Sequence, residues 1–285
     1  MSLNSCELSL VIPSSLNDRP IEALLDSILI QNLNSNAFEV IVVINGEGIW
    51  NEQRIQKLEN QYSNVRFLIN SFPGTNRARN VGAKYAQGDF LFFIDDDCRL
   101  VDPSQLKRVL SFCQERTVVY ATGMYRTPIN GKWHQQIYNF ISNSWLRAYS
   151  DRTGQHFTFL GGALLISRHL LSECGGFDES IQGGGEEWSL AKKLLPRRIT
   201  FLNSLCVWHS FQGGWWRLLK KKHEHAESSL KLEMAPTFDR RFFALAEELS
   251  ASPSSNLLKT SIYIILVLVG GLAQLFSTAK MKRNA

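Results

Sequence analysis

No two of the five cysteines stand at C-x-x-C spacing: Cys6, Cys98, Cys113, Cys174 and Cys206 are scattered and odd in number. That pattern argues against a disulfide framework or a structural zinc site, and it predicts reduced thiols in a cytosolic compartment. The N-terminus lacks a basic stretch followed by an apolar one, so no signal peptide is expected. A large excess of charge is also missing. The formal charge of +5 and pI near 9 are only mildly basic. They suit phosphorylated ligands or an anionic membrane surface, and nucleic acid is not an expected partner. What remains is ordinary globular composition, with 44% apolar and 20% charged residues in 285. That length accommodates one large α/β domain with appendages.

The most informative stretch is Asp89-Phe90-Leu91-Phe92-Phe93-Ile94-Asp95-Asp96-Asp97. A short, wholly apolar run reads as a strand covered on both faces. Three carboxylates at its end cannot be buried without a counter-charge, because desolvating even one is costly. They either form a solvated acidic turn or face something cationic. The carboxyl ends of strands in an open α/β sheet are where ligands bind. A divalent metal carrying a phosphorylated ligand would satisfy the triplet.

The chain before it alternates strand and helix patterns. Leu8–Ile12 stops at Pro13. Asn17-Asp18-Arg19-Pro20 opens a helix with Ile21, Leu24, Leu25, Ile28 and Leu29 on one face. Phe38–Ile44 is a second strand, ending at Asn45-Gly46. A helix is predicted over 52–62 and a strand over 65–69. This βαβαβ order implies a parallel sheet with right-handed crossovers. Residues 74–86 read as a loop entering a helix whose inward stripe is Ala78, Val81, Gly82 and Tyr85. Arg77, Asn80 and Lys84 fall on another face. That face is either solvated or, with the helix N-terminus, beside the acidic strand end. Gly88 is the expected helix stop.

Past the triplet, Asp102-Pro103 opens a helix to Gln114, and 117–124 reads as a strand. The segment Lys132–Arg147 is rich in aromatics, which either line a sugar cleft or pack; packing is the expectation. Phe159–Arg168 is a strand opening on Gly161-Gly162, where a ligand can approach the backbone. Gly183-Gly184-Gly185 leads into Glu186-Glu187, two carboxylates at a helix N-terminus, one of which could act as a general base. Leu205–Trp208 ends at His209, either a structural histidine or a metal ligand.

Taken in order, Val11-Ile12-Pro13, Val43-Ile44-Asn45, Asn76-Arg77-Ala78-Arg79-Asn80-Val81-Gly82, Phe93-Ile94-Asp95-Asp96-Asp97, Gly161-Gly162 with Arg168, Gly175-Gly176-Phe177-Asp178-Glu179, Gly185-Glu186-Glu187-Trp188-Ser189-Leu190 and Trp208-His209 resemble the family 2 glycosyltransferases of GT-A fold. The resemblance covers about residues 7–211. It implies a Rossmann-like α/β fold with a mixed, mostly parallel sheet flanked by helices. It also implies a nucleotide-diphospho-sugar donor, Mg²⁺ or Mn²⁺, and an inverting transfer. By position, Pro13 and Asn45 would line the nucleobase and ribose pocket, with Arg77 near it and Asp95 facing the nucleotide. Gly161 and Gly162 belong to the same donor-binding set. Asp97 would be the metal ligand of the D-x-D motif, His209 would complete the metal or diphosphate site, and Glu187 would be the catalytic base. Glu187 departs from the family's usual Asp by one methylene, Ser189 stands where an acid is common, and Cys98 follows the triplet where another acid is common.

The domain plan is a glycosyltransferase domain over 1–211, a basic, amphipathic extension and linker over 212–256, a membrane helix over 257–279 and a basic tail over 280–285. Thr260–Ala279 holds twenty residues without a charge, enough to span a bilayer. Trp215, Leu218, Leu219 and Lys222 share a helical face that suits a headgroup layer, a ligand contact or plain solvent. The expected acceptor is a glycan, lipid-linked or of the cell envelope, with the catalytic domain in the cytoplasm and the chain on a membrane. Two rival readings are a nucleotidyltransferase acting on sugar phosphates and a catalytically silent membrane-bound scaffold. No glycine-rich phosphate loop with a following Arg or Lys stands near the first strand, which disfavours the first. The intact triplet, Glu187 and His209 disfavour the second.

Overall fold

The computed structural model describes residues 6–15, 21–46, 52–62, 64–150, 155–181, 184–212, 214, 216–218 and 220–221. β1 (Leu8–Ser14), α1 (Glu22–Leu29), β2 (Phe38–Asn45), α2 (Glu52–Gln61) and β3 (Val65–Asn70) follow the expected alternation. Then come α3 (Thr75–Tyr85), β4 (Phe90–Phe93), β5 (Cys98–Arg99), α4 (Gln105–Gln114), β6 (Tyr120–Thr122), β7 (Tyr125–Arg126) and α5 (Trp133–Ala148). β8 (Leu164–Ser167), α6 (Arg168–Glu173), α7 (Glu186–Lys193), β9 (Thr200–Phe201) and β10 (Val207–His209) complete the described elements. The main sheet runs β3-β2-β1-β4-β8-β6-β9, and β5-β10-β7 form a small second sheet. In the main sheet only β8 is antiparallel to its neighbours, β4 and β6. The mixed, mostly parallel sheet expected from the sequence is therefore the one observed.

Strand alternation sorts the core into two apolar layers. Leu8, Leu10, Ile12, Val40, Val42, Ile44 and Phe92 meet α1, α2 and α4 on one face. Val11, Ile41, Val43, Leu91 and Phe93 meet α3, α6 and α7 on the other. With both faces covered, each strand must be apolar at nearly every position, which is why the runs lack polar alternation. Gly82 is needed for the α3 contact, since a Cβ there would stand 2.3 Å from Val11 Cγ1. Pro13 lies inside β1 without costing a ladder bond. Val11 accepts from Ile94 N–H on the β4 side, and Pro13, two residues on, faces that same side after β4 has ended.

Several local expectations are corrected. Leu29 and Tyr85 are exposed, and Arg79 with Asn76 takes the buried stripe of α3. Gly88 does not stop α3, whose C-cap is Ala86; a Cβ on Gly88 would lie 2.8 Å from the Leu8 carbonyl carbon, so the glycine lets the chain pass β1. The predicted strand over 117–124 is split. At Gly123 the chain passes against Leu205 and leaves the main sheet, so Tyr125 joins the small one. Among the described residues no helix is long and apolar enough to cross a membrane. The expected membrane helix over 257–279, the tail over 280–285, the 212–256 extension beyond Lys221 and the helix cap over 17–20 lie outside the described residues.

Candidate active site

β1 lies between β2 and β4, and α1 and α3 pack on opposite faces, so the strand order reverses beside β1. A crevice must open outside the carboxyl ends there. It does, as an open cleft of about 880 Å³. Pro13 and Ser14 come from the end of β1, Asn45 from β2, Asp95 and Asp96 from β4, Arg79 from α3, and Glu186 and Glu187 from α7. Trp216, Arg217, Lys220 and Lys221 add a basic wall.

The three aspartates have three different partners. Asp95 is paired with Arg79, Nη2 to Oδ1 at 3.2 Å. Asp96 is buried and accepts from Ser14 Oγ at 2.8 Å. Asp97 Oδ1 lies 3.3 Å from His209 Nε2, with both side chains almost fully buried. The small sheet makes that last contact: β10 pairs antiparallel with β5, putting His209 opposite Cys98, and Ser210 N–H donates to the Asp97 carbonyl. His209 stacks on Tyr125, ring centroids 4.2 Å apart, and against Tyr138 at 5.1 Å.

Arg79 is the cation that the buried carboxylates require. Its guanidinium is buried, and Nε and Nη1 have no hydrogen-bond partner among the described residues. A buried guanidinium with two unfilled donors on a cleft wall fits an incoming oxyanion. Burial lowers its proton affinity, and Asp95, Glu186 and Glu187 more than offset that. Arg77, expected near the nucleotide, does not line the cleft. It pairs with Glu179 at 2.9 Å and lies over Phe72, because its position on α3 points it towards the turn after Gly176.

Gly161 and Gly162 are glycines because site side chains occupy the space of a Cβ. At Gly161 it would stand 2.6 Å from Arg79 Nη2 and 2.9 Å from Glu187 Oε1; at Gly162, 2.7 Å from Asp95 Oδ2 and 2.9 Å from Tyr125 Oη. Tyr125 Oη in turn accepts from Gly162 N–H. Asn45 Oδ1 accepts from Gly74 N–H at 2.8 Å, tying the end of β2 to the entry of α3. Gly185, at φ 91°, turns the chain into α7 and delivers Glu187 to the cleft. Burial, and then the neighbouring Glu186 charge, push the Glu187 carboxyl up to about 7, against the pull of Arg79. A carboxylate in that range is suited to take a proton at neutral pH.

Asp97, Cys98 and His209 are the described side chains grouped closely enough to hold a metal ion. A carboxylate oxygen and an imidazole nitrogen fit Mn²⁺, and the carboxylates of the strand end fit Mg²⁺. The Cys98 thiol is pushed well up, by burial first and by Asp97 and Asp95 next, and lies 3.9 Å from the Gly162 carbonyl. It stays a thiol, so the hard oxygen and nitrogen donors define the corner.

Sequence reasoning missed Arg79 and Tyr125, and it held Tyr138 and Lys221 only within segments weighed for packing, solvent or ligand contact. Arg79 carried a signal, since it lies three residues from both Asn76 and Gly82 on the same helical stripe. The tyrosines carried none, because only the β7–β10 pairing and the α5 packing bring them to His209.

The fold and cleft define a Rossmann-like α/β protein whose cleft carries a buried guanidinium and a raised carboxylate, with the metal-suited Asp97–His209 corner buried behind its acidic strand end. The sequence model for glycosyl transferase family 2 matches residues 9–175. The chain belongs to that family and is a glycosyltransferase. It is 25% identical over 245 residues to glycosyltransferase AglE of Haloferax volcanii, covering 84% of this chain and 78% of AglE. It is 29% identical over 110 residues to the poly(ribitol-phosphate) beta-N-acetylglucosaminyltransferase TarS of Staphylococcus aureus, covering 38% of this chain and 19% of TarS. Among solved structures it superposes on the mannosyltransferase PcManGT of Pyrobaculum calidifontis, bound to GDP-Man and Mn²⁺, with a TM-score of 0.65 at 16% identity; the match covers 96% of this chain and 88% of that one. TarS residues 1–349 in complex with UDP-GlcNAc superpose with a TM-score of 0.57 at 18% identity, covering 91% and 79%. These likenesses establish the GT-A type of fold.

Proposed function

We propose that this glycosyltransferase is metal-dependent and inverting, and moves a sugar from a nucleotide-diphospho-sugar to a hydroxyl of a glycan acceptor. The observation that carries the reading is Glu187, a carboxyl raised to about 7 in the same cleft as the Arg79–Asp95 pair. Pro13 and Asn45 would bound the nucleobase and ribose, with Asp95 facing the nucleotide. Arg79 would donate its unfilled Nε and Nη1 hydrogens to donor oxygens. The partly buried Lys221 ammonium is held charged, first by Tyr138 and then by Asp95 and Asp97, against its burial, and would add a second cation.

Glu187 takes the proton of the acceptor hydroxyl as its oxygen bonds to the anomeric carbon. The bond from that carbon to the diphosphate breaks in the same displacement, so configuration inverts and no enzyme nucleophile is needed. A divalent cation held by Asp97 and His209 would supply charge neutralisation for the departing diphosphate. An aromatic recess beside Glu187, walled by Trp145, Phe159 and Trp188 with Ser142 and Thr158, suits the apolar face and hydroxyls of an acceptor sugar.

The membrane reading rests on the uncharged 260–279 run and its flanking Lys259, Lys280, Lys282 and Arg283. Trp216, 85% exposed beside Arg217 and Lys220 at the cleft mouth, is consistent with it. On this reading the catalytic domain lies in the cytoplasm at a membrane, and the acceptor is lipid-linked or part of the cell envelope.

A thermal-shift panel of UDP-, GDP- and dTDP-sugars with Mn²⁺ and with EDTA tests the donor half of the proposal. The expected result is stabilisation by one nucleotide class that needs the metal. Stabilisation by none of them, or equal stabilisation in EDTA, refutes it.

A further inference from the structure

Asn139 sits on α5, 70 residues before His209 in sequence, and is 2% exposed. It cannot touch a substrate, and it carries no charge. Yet each end of its amide is committed. Nδ2 donates to the His209 carbonyl at 3.0 Å and to Thr127 Oγ1 at 3.1 Å. Oδ1 is therefore the atom that faces the His209 ring, 2.6 Å from Nδ1. An oxygen acceptor at that distance requires the proton on Nδ1.

The consequence lies at the other ring nitrogen. With Nδ1 committed to Asn139, Nε2 is the ring nitrogen left facing Asp97 Oδ1, across 3.3 Å. A ring nitrogen and a carboxylate oxygen turned on one nearly dry corner are two donor atoms that a cation could share. The stacked Tyr125 holds the ring plane, with an interplanar angle of 12°. Without the amide the ring could flip, or carry its proton on Nε2, and in either case the donor set would be lost.

We propose that Asn139 is a positioning residue that sets the tautomer and orientation of His209, so that Nε2 is presented with Asp97 to the divalent cation. Histidine ligands are commonly oriented by an acceptor on the far ring nitrogen, and loss of such a partner weakens metal binding by about 10- to 100-fold. The inference rests on the metal-dependent reading above and adds a residue to it.

The test is Mn²⁺ binding, followed by the electron spin resonance of free Mn²⁺, with and without UDP or GDP. Asn139→Leu removes the acceptor and should weaken Mn²⁺ binding about 10-fold or more. Asn139→Asp keeps an oxygen towards Nδ1 but cannot donate to the His209 carbonyl. It should lose stability yet bind Mn²⁺ at least as tightly as the parent, because a carboxylate on Nδ1 orients the ring and raises its basicity. A residue that merely clips α5 to β10 would give the opposite pattern, with both variants less stable and neither altered in Mn²⁺ binding, and that result overturns the proposal. If Asn139→Leu does not fold, ¹⁵N NMR of His209 in the unaltered, metal-free protein decides. A proton on Nδ1, alone or together with one on Nε2, supports the proposal, and a neutral ring protonated on Nε2 alone overturns it. An unaltered protein that binds Mn²⁺ under none of these conditions removes the metal reading itself. Equal affinity in the Leu variant removes only the role of Asn139.

Discussion

Replacing Glu187 with Gln should abolish transfer and, at neutral pH, make the protein more stable. The Glu187 carboxyl stands at about 7 in the fold against an ordinary 4.5, raised by burial and then by Glu186. That difference corresponds to about 3 kcal/mol of disfavoured ionisation. Below about 4.5 the group is protonated in both folded and unfolded chains, so its charge costs nothing. Between about 4.5 and 7 the folded protein holds a proton that the unfolded chain has lost, and stability falls as pH rises. Above about 7 the full cost is present. Gln copies the protonated shape at every pH. Urea unfolding at pH 4.5, 6 and 8 should therefore show the stability advantage of the Gln variant widening by about 3 kcal/mol across that range. The same carboxyl should give kcat/KM of the parent enzyme an acid limb with its midpoint near 7. Loss of a general base costs typically about 10²- to 10⁴-fold in rate, and donor binding should be retained. A stability gap that is flat with pH would show that Glu187 is not desolvated. Near-normal turnover would remove it as the base.

Asp97→Ala should eliminate the metal dependence of donor binding, read as equal thermal shifts in Mn²⁺ and EDTA; a persisting difference would place the metal elsewhere. Arg79→Met should destabilise the fold by about 3 kcal/mol, as breaking one side of a buried ion pair does, and should weaken nucleotide-sugar binding; calorimetry with the donor checks both. Gly161→Ala puts a Cβ within 3 Å of Arg79 Nη2 and Glu187 Oε1, so it should lower kcat with a stability loss of about 1–3 kcal/mol. Removal of residues 257 onward should release the protein from membranes in a flotation assay; continued association with lipid would point to the Trp216–Lys221 region.

The sheet, its two covered faces and the acidic end of β4 were legible in sequence because they depend on local periodicity. An unbroken apolar strand announces that both of its faces are buried, and a charge cluster at its end announces a solvent or ligand boundary. The paired acids Glu186 and Glu187 were legible for a similar reason, since a glycine run before them marks a helix mouth, and the family resemblance singled out Glu187. The identity of the cation that neutralises Asp95 was not. Arg77 and Arg79 lie two apart on one helix, and the periodicity put Arg77, with Asn80 and Lys84, beside the acidic end and passed over Arg79. The side-chain packing of α3 against the sheet settled it. Burial of Asn76, Ala78 and Gly82 turns Arg79 inward, while Arg77 meets Glu179.

The side-chain partners of Asp95 and Asp96 were likewise visible only in three dimensions. Local pattern placed the three aspartates together as one charge problem, and the family resemblance divided them, with Asp95 facing the nucleotide and Asp97 beside His209 at the metal. The fold gives Asp95 to Arg79, Asp96 to Ser14 and Asp97 to His209. The reason is that the triplet lies past the end of β4, in the turn to β5, where the chain changes direction and adjacent carboxylates meet different neighbours. Those neighbours come from β1, α3 and β10, between 16 and 112 residues away in the chain, and pairing over such distances leaves no local pattern to read. The sequence by itself determined that a charged, ligand-facing strand end exists. Tertiary structure alone decided which of its carboxylates is paired with a guanidinium and which is tied to a hydroxyl, and it set the expected Asp97 and His209 3.3 Å apart through the pairing of β5 with β10.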